Sequence, residues 1–202
     1  MADTTGRRER KRQQTLDHLA DTAWALFEQD GYDAVTMERI AEVADVAKGT
    51  LYKHFPVKEA LLRHYFHREF RTAQPTILAE LESCPSFEQR LRRLLARHAQ
   101  WSLARRQYLG PYFHFRMKEM QLTQIPSDEH RSGLDRVFTA MIANAQDRGE
   151  ITTDFAAVDL AYRLEFLFLS AILHWLCRTD LDLESEFDLI VDLFLNGARQ
   201  RP

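Results

Sequence analysis

Glycine and proline are scarce, with seven and six residues respectively in a chain of 202, and long stretches carry neither. Sheets built on tight turns need both at short intervals, so their rarity favours helices with short connections over a strand-and-turn architecture. Cysteine is scarcer still. Cys84 and Cys177 lie far apart, outside any metal-ligand spacing, which argues against a disulfide framework and fits two ordinary thiols in a reduced, cytoplasmic protein. Long apolar runs are also missing. The most apolar one, Phe166 to Cys177, is interrupted by Ser170 and His174 and reads as too short to span a bilayer. The basic residues Arg7, Arg8, Arg10, Lys11 and Arg12 lead into an amphipathic segment rather than an apolar one, so no secretory leader is read there. Nor is there an excess of positive charge: the formal net charge is −3. A polycation that coats nucleic acid indiscriminately is excluded, and any DNA-binding role must rest on one sharply defined face.

What is present is a core-forming composition, 45% hydrophobic and 28% charged. Leu16, Leu19, Ala20, Ala23 and Phe27 recur at helical spacing and predict a helix over 10–29, stopped by Gly31. Thr36 is a natural N-cap for a short helix over 37–44. Asp45 falls where the chain must turn tightly. A third helix over 48–54 ends before Pro56, because the residue preceding proline disfavours the helical region. Phe27, Tyr32, Val35, Ile40, Val46, Leu51 and Phe55 are the expected shared core. A longer helix is predicted from Val57, kinked or interrupted at Pro75 before 77–81. Ser86 with Gln89 reads as a capping box opening a helix that reaches about Arg106. A less regular aromatic stretch over 108–120, a loop over 121–126, and helices over 128–148, 154–178 and 183–199 complete the reading. The fold expected is all-α. It divides into a helix-turn-helix domain with a basic N-terminal arm at 1–56 and a larger helical domain at 57–202, rigidly joined through the helix after Pro56.

Residues 36–55 carry the functional signal. Two short helices flank a tight turn, the helix-turn-helix arrangement. Leu51 and Phe55 share an inward face, which leaves Lys48, Thr50, Tyr52, Lys53 and His54 at the start or on the outward faces of the second helix. Side chains so placed can reach phosphates and base edges in a major groove. The same pattern also suits a three-helix subdomain with an ordinary polar surface.

The order Gly31-Tyr32, Thr36, Ile40-Ala41, Lys48-Gly49-Thr50-Leu51-Tyr52, His54-Phe55 and Lys58-Glu59-Ala60-Leu61 closely resembles the N-terminal domain of TetR/AcrR-family regulators. The resemblance implies a transcription regulator, not an enzyme, acting as a homodimer on double-stranded DNA with a palindromic operator. It assigns Thr36 to capping and to a nearby phosphate, Lys48 and Thr50 to base contacts, and Gly49 to close approach of the backbone. Tyr52, His54 and Lys58 are assigned to phosphates. The stretch Arg7–Arg12 becomes a flexible arm along the DNA, or simply a solvated terminus. Two departures stand out: Asp45 occupies a turn position usually held by Gly, and Ala47 one often held by Ser.

The resemblance also implies that the apolar run over 160–177 and the last helix pair with their copies in a second subunit; burial within one subunit is the alternative. It implies a ligand pocket, for which Trp101, Tyr108, Tyr112, Phe113, Phe115, Met117, Met120 and Phe166 are the aromatic and adaptable candidates. His114, Arg116, Glu165 and His174 are nearby polar groups, and each aromatic could equally be plain core. The function expected is a repressor released from DNA by a small apolar or aromatic effector; a regulator controlled by a protein partner is the alternative. No phosphate-binding glycine loop, nucleophile elbow or metal motif is found, so no cofactor, metal or membrane enters the reading.

Overall fold

The computed structural model describes residues 3–122 and 132–198. Among the described residues there are nine helices and no strand: α1 (Asp3–Asp30), α2 (Met37–Val43), α3 (Lys48–His54), α4 (Lys58–Glu82), α5 (Phe87–Leu103), α6 (Arg106–Leu122), α7 (Leu134–Asp147), α8 (Ala157–Cys177) and α9 (Leu183–Ala198). The all-α expectation holds. The chain forms two compact units, one built from residues 1–69 and 110–126, the other from 70–109 and 127–202.

In the first unit the local signals act as their chemistry dictates. Gly31, at φ 84°, ends α1 in the left-handed conformation, and its amide bonds to the carbonyl of Phe27 at 3.1 Å. The Thr36 hydroxyl accepts from the Arg39 amide at 3.1 Å and caps α2. Leu19, Phe27, Val35, Ile40, Leu51 and Phe55 are buried together with Leu61, Leu62 and Phe66 from the first turns of α4. Tyr32 and Val46, also expected in this core, are half-buried. Trp24 stacks on Tyr65 with ring centroids 4.6 Å apart. A polar seam joins α1 to α4: His64 Nε2 lies 2.7 Å from Asp17 Oδ1, and the Arg68 guanidinium pairs with Asp21. His67, buried on α4, is hydrogen bonded to the hydroxyl of Tyr112 on α6 at 2.9 Å.

The second unit is held by α5, α7, α8 and α9, with α8 packed on both α7 and α9, and α9 on α5. Phe87, Leu91, Leu95, Phe138, Leu164, Trp175 and Val191 are among its buried side chains. Ser86 caps α5, accepting from the Gln89 amide at 3.3 Å. On the rim, Arg92 of α5 donates to Asp188 and Asp192 of α9 at 2.7 and 2.5 Å.

Four expectations are corrected. Helix α1 starts at Asp3, so Arg7–Arg12 are helical rather than an irregular arm; Glu, Arg, Lys and Gln are good helix formers, and Glu9 pairs with Arg12 one turn on. Pro75 lies inside an unbroken α4; it is exposed, and Ile77 and Leu81, both buried, anchor the next turn. The stretch over 108–120 is regular helix despite Gly110-Pro111, because Tyr108, Leu109 and Tyr112 are all buried on it. Helix α8 has 21 residues, long and apolar enough by length and composition to cross a membrane, where only the shorter run from Phe166 was weighed. Its packing on α7 and α9 is that of a core helix. Residues 123–126 of the expected loop, the start of the helix expected from 128 and the end of the last helix expected at 199 lie outside the described residues.

Candidate functional site

The helix-turn-helix is built by three backbone features in sequence. After the Thr36-capped α2, Asp45 takes φ 53° and turns the chain, and the amide of Val46 bonds back to the carbonyl of Ala41 at 3.0 Å. Few L-residues other than Asn and Asp visit this left-handed region readily, so Asp45 does the work of the usual glycine. Ala47 is the N-cap of α3, with extended backbone and no side-chain cap. Its carbonyl accepts from the amides of Thr50 and Leu51 at 2.8 and 3.2 Å.

This frame sorts the side chains of α3 into two sets. Leu51 is fully buried and Phe55 nearly so, which fixes the rotation of the helix about its axis. Lys48, Gly49, Thr50, Tyr52 and Lys53 are exposed, and His54 is half-buried. A Cβ at Gly49 would meet nothing within 4 Å, so its surroundings are open. Lys48, Thr50, Tyr52 and Lys53 are outward as spacing predicts, whereas His54, expected outward with them, is half-buried in the last turn of the helix.

Two members of the candidate site already have intramolecular partners. The Tyr52 hydroxyl donates to Glu38 Oε1 on α2 at 3.1 Å. This bond raises the Tyr52 pKa, while the Glu38 carboxyl is held below its usual range by its own backbone amide and by Tyr52. Lys58 donates to the carbonyl of Tyr32 at 2.7 Å and lies over the Tyr32 ring, 4.4 Å from its centroid. The Tyr32 hydroxyl in turn donates to Glu59 at 2.8 Å. Glu38 was missed in the sequence reading. Its distance of 14 residues from Tyr52 gives no periodic signal, and only the turn geometry brings the two together.

The expected pocket residues fall in both units. In the first, Tyr112 is buried, with its ring against Phe66 and Phe113 at 5.4 and 4.9 Å; Phe115 lies beneath the Arg63 guanidinium, and Met117 is exposed. His114 is exposed and Arg116 half-buried. In the second, Trp101 is half-buried under the Arg105 guanidinium, at 4.9 Å. Phe166 is exposed beside Tyr162, and His174 is exposed with Nδ1 2.9 Å from Glu186. Glu165 is half-buried. A residue not foreseen, His98, sits among rings: Phe168 at 4.6 Å, Trp101 at 5.5 Å and Phe187 at 6.2 Å, with Nδ1 3.1 Å from the buried Ser102 hydroxyl. Burial pushes its pKa down to about 4, which keeps the ring neutral near pH 7. Among the described residues no group of three or more His, Cys, Asp or Glu is placed to hold a metal ion.

Residues 19–65 match the model of the bacterial regulatory proteins of the tetR family. Over 191 residues the chain is 31% identical to the HTH-type transcriptional repressor KstR of Mycolicibacterium smegmatis, covering 91% of this chain and 88% of the relative. The chain belongs to the TetR family. Members of this family are transcription regulators rather than enzymes. Solved structures share the fold. FadR of Thermus thermophilus, in complex with lauroyl-CoA, superposes with a TM-score of 0.76 at 22% identity, covering 93% of this chain and 96% of that one. RolR, in complex with resorcinol, gives 0.67 at 18% identity, covering 94% and 90%.

Proposed function

We propose that this TetR-family protein is a cytoplasmic, homodimeric repressor that binds a palindromic operator in double-stranded DNA and leaves it when a small apolar or aromatic molecule binds. The observation that carries the reading is the sorting of α3: Leu51 and Phe55 buried, Lys48, Gly49, Thr50, Tyr52 and Lys53 exposed. DNA binding is assigned to residues 1–56, and regulation and dimerisation to 57–202. Lys48 and Thr50 are assigned to base edges, Gly49 to close backbone approach, and Thr36, Tyr52, His54 and Lys58 to phosphates. For Lys58 this requires exchanging the Tyr32 carbonyl for a phosphate oxygen.

Dimerisation is supported by the apolar residues left exposed in the second unit. Val158, Tyr162 and Phe166 recur at four-residue spacing on α8, at 60, 56 and 41% exposure; Leu189 and Leu193 do so on α9, at 53 and 56%. Rows of this kind mark interfaces. Two copies would bring two recognition helices to successive major grooves, about 34–36 Å apart. The ligand class is supported by the aromatic content of α6 and α8 and by the molecules held by the neighbours, resorcinol in one and, in another, lauroyl-CoA, whose acyl chain is apolar though its coenzyme part is charged.

The test is retention of a duplex carrying the gene's own upstream region. Binding should weaken steeply with salt as phosphate-bound counterions are released, and Lys48→Ala should lower affinity at least tenfold. Leu193→Lys should yield a monomer in sedimentation and abolish operator binding. Lauroyl-CoA and resorcinol serve as first effector probes. Equal affinity of wild type and Lys48→Ala on every duplex would refute the assignment of α3.

A further inference from the structure

The DNA-facing surface carries one feature that binding strength alone does not explain. Glu38, in the first turn of α2, is exposed, and its carboxylate accepts the Tyr52 hydroxyl at 3.1 Å. It also feels the charge of Lys48. One acidic side chain therefore interacts with two of the groups assigned above to DNA. A carboxylate beside a phosphate backbone is repelled by it, so a surface selected only for affinity would not place one there. Its chemistry suits a different task. A carboxylate is acceptor-only, and among base edges it pairs with exocyclic amines such as the N4 amine of cytosine, not with the acceptor atoms of guanine.

Resting on the DNA-binding reading, we propose that Glu38 is a specificity-determining residue of the interface, weakening binding to DNA in general while fixing Tyr52 for the matching sequence. On a non-matching duplex the carboxylate meets phosphates and base acceptors, and each contact is repulsive. On a matching duplex it meets an amine donor, and the cost is offset. Tyr52 adds the second part. Held by Glu38, its ring keeps one orientation instead of sampling several rotamers, so the ring edge meets the groove in one register, and the hydroxyl bonds a phosphate only by exchanging Glu38 for it. Discrimination here comes from a repulsive element as much as from an attractive one.

The experiment uses the full chain and two duplexes: a site recovered by in vitro selection from random sequence, and the same site shuffled. Glu38→Gln keeps the shape and an acceptor but removes the charge and adds a donor. The expected result is a shuffled-duplex affinity raised about tenfold, with selected-site affinity unchanged or lowered, so that the ratio of the two falls about tenfold or more. Tyr52→Phe breaks the bond while leaving the carboxylate, and should lower the ratio without tightening binding to the shuffled duplex. Unchanged thermal denaturation of both variants shows that folding is not the cause. A ratio unchanged within twofold in Glu38→Gln overturns the proposal, whatever happens to absolute affinity. If Lys48→Ala still loses affinity in that same experiment, the DNA-binding reading survives and only the role of Glu38 falls. If the wild-type chain recovers no preferred site at all, both readings fall together.

Discussion

Replacing Ala47 by serine should make the protein more stable, and the gain can be worked from the backbone alone. Ala47 is the N-cap of α3 at φ −61° and ψ 139°, the extended conformation in which capping side chains act. It is exposed, so an added hydroxyl loses no packing. No side-chain hydrogen bond caps the helix, and serine at such a position stabilises by about 1 kcal/mol relative to alanine. For a chain of 202 residues, that corresponds to a melting temperature raised by about 2–4 °C. Ala47→Val is the control, because it adds bulk without an oxygen and belongs with alanine among poor caps. Urea denaturation and thermal melting, followed by circular dichroism, measure both variants against the parent. A serine variant no more stable than the parent, or a valine variant that gains as much, would refute the view that the start of α3 lacks a cap it could use.

Three further outcomes follow from buried groups. Tyr112→Phe leaves the buried His67 without the hydroxyl it is bonded to, and should cost about 1–3 kcal/mol in urea denaturation. Combined with His67→Leu, the loss should be less than the sum of the single effects, and strict additivity would refute the coupling. Leu51→Ala should destabilise by about 2–5 kcal/mol, since the side chain is fully buried; a cost below 1 kcal/mol would contradict its anchoring role. His98, with its pKa depressed to about 4, is neutral in the fold and binds its proton more readily when unfolded. Its contribution is therefore complete above pH about 6.5, the unfolded value, and is lost as pH falls toward 4. The urea midpoint should drop across that window, less so in His98→Gln, and equal slopes in the two proteins would contradict the assignment.

The helix-turn-helix was legible because its signals are short-range. Thr36 caps its own helix, Gly31 and Asp45 supply the left-handed turns, and Pro56 stops α3, each within a few residues of its effect. Helix continuity at Pro75 and Pro111 was not legible. A proline in a helix interior costs about 3 kcal/mol locally, but the helix is retained when side chains beyond it are buried against distant parts of the chain. Ile77 and Leu81 do this for α4, and Tyr112 for α6. Composition likewise could not say which aromatics of α8 face inward. Phe168 is buried and Phe166, two positions earlier, is exposed, although both sit in the same apolar run. His98 gave no warning, because a lone histidine on an amphipathic helix has the same spacing whether it meets rings or water.

The first unit draws on two separated stretches, 1–69 and 110–126. Synthesis from the N-terminus delivers them at different times. Tyr112 is made 45 residues after His67, a delay of about 2–9 s at ordinary elongation rates. During that interval α1, α2, α3 and the start of α4 are complete in sequence, yet α6 has not been made. A released fragment that ends at residue 109 should therefore be more open to proteolysis around Phe66 and His67 than one that ends at 126. The order of synthesis thus places the closing of this unit after the intervening stretch, 70–109, has been made.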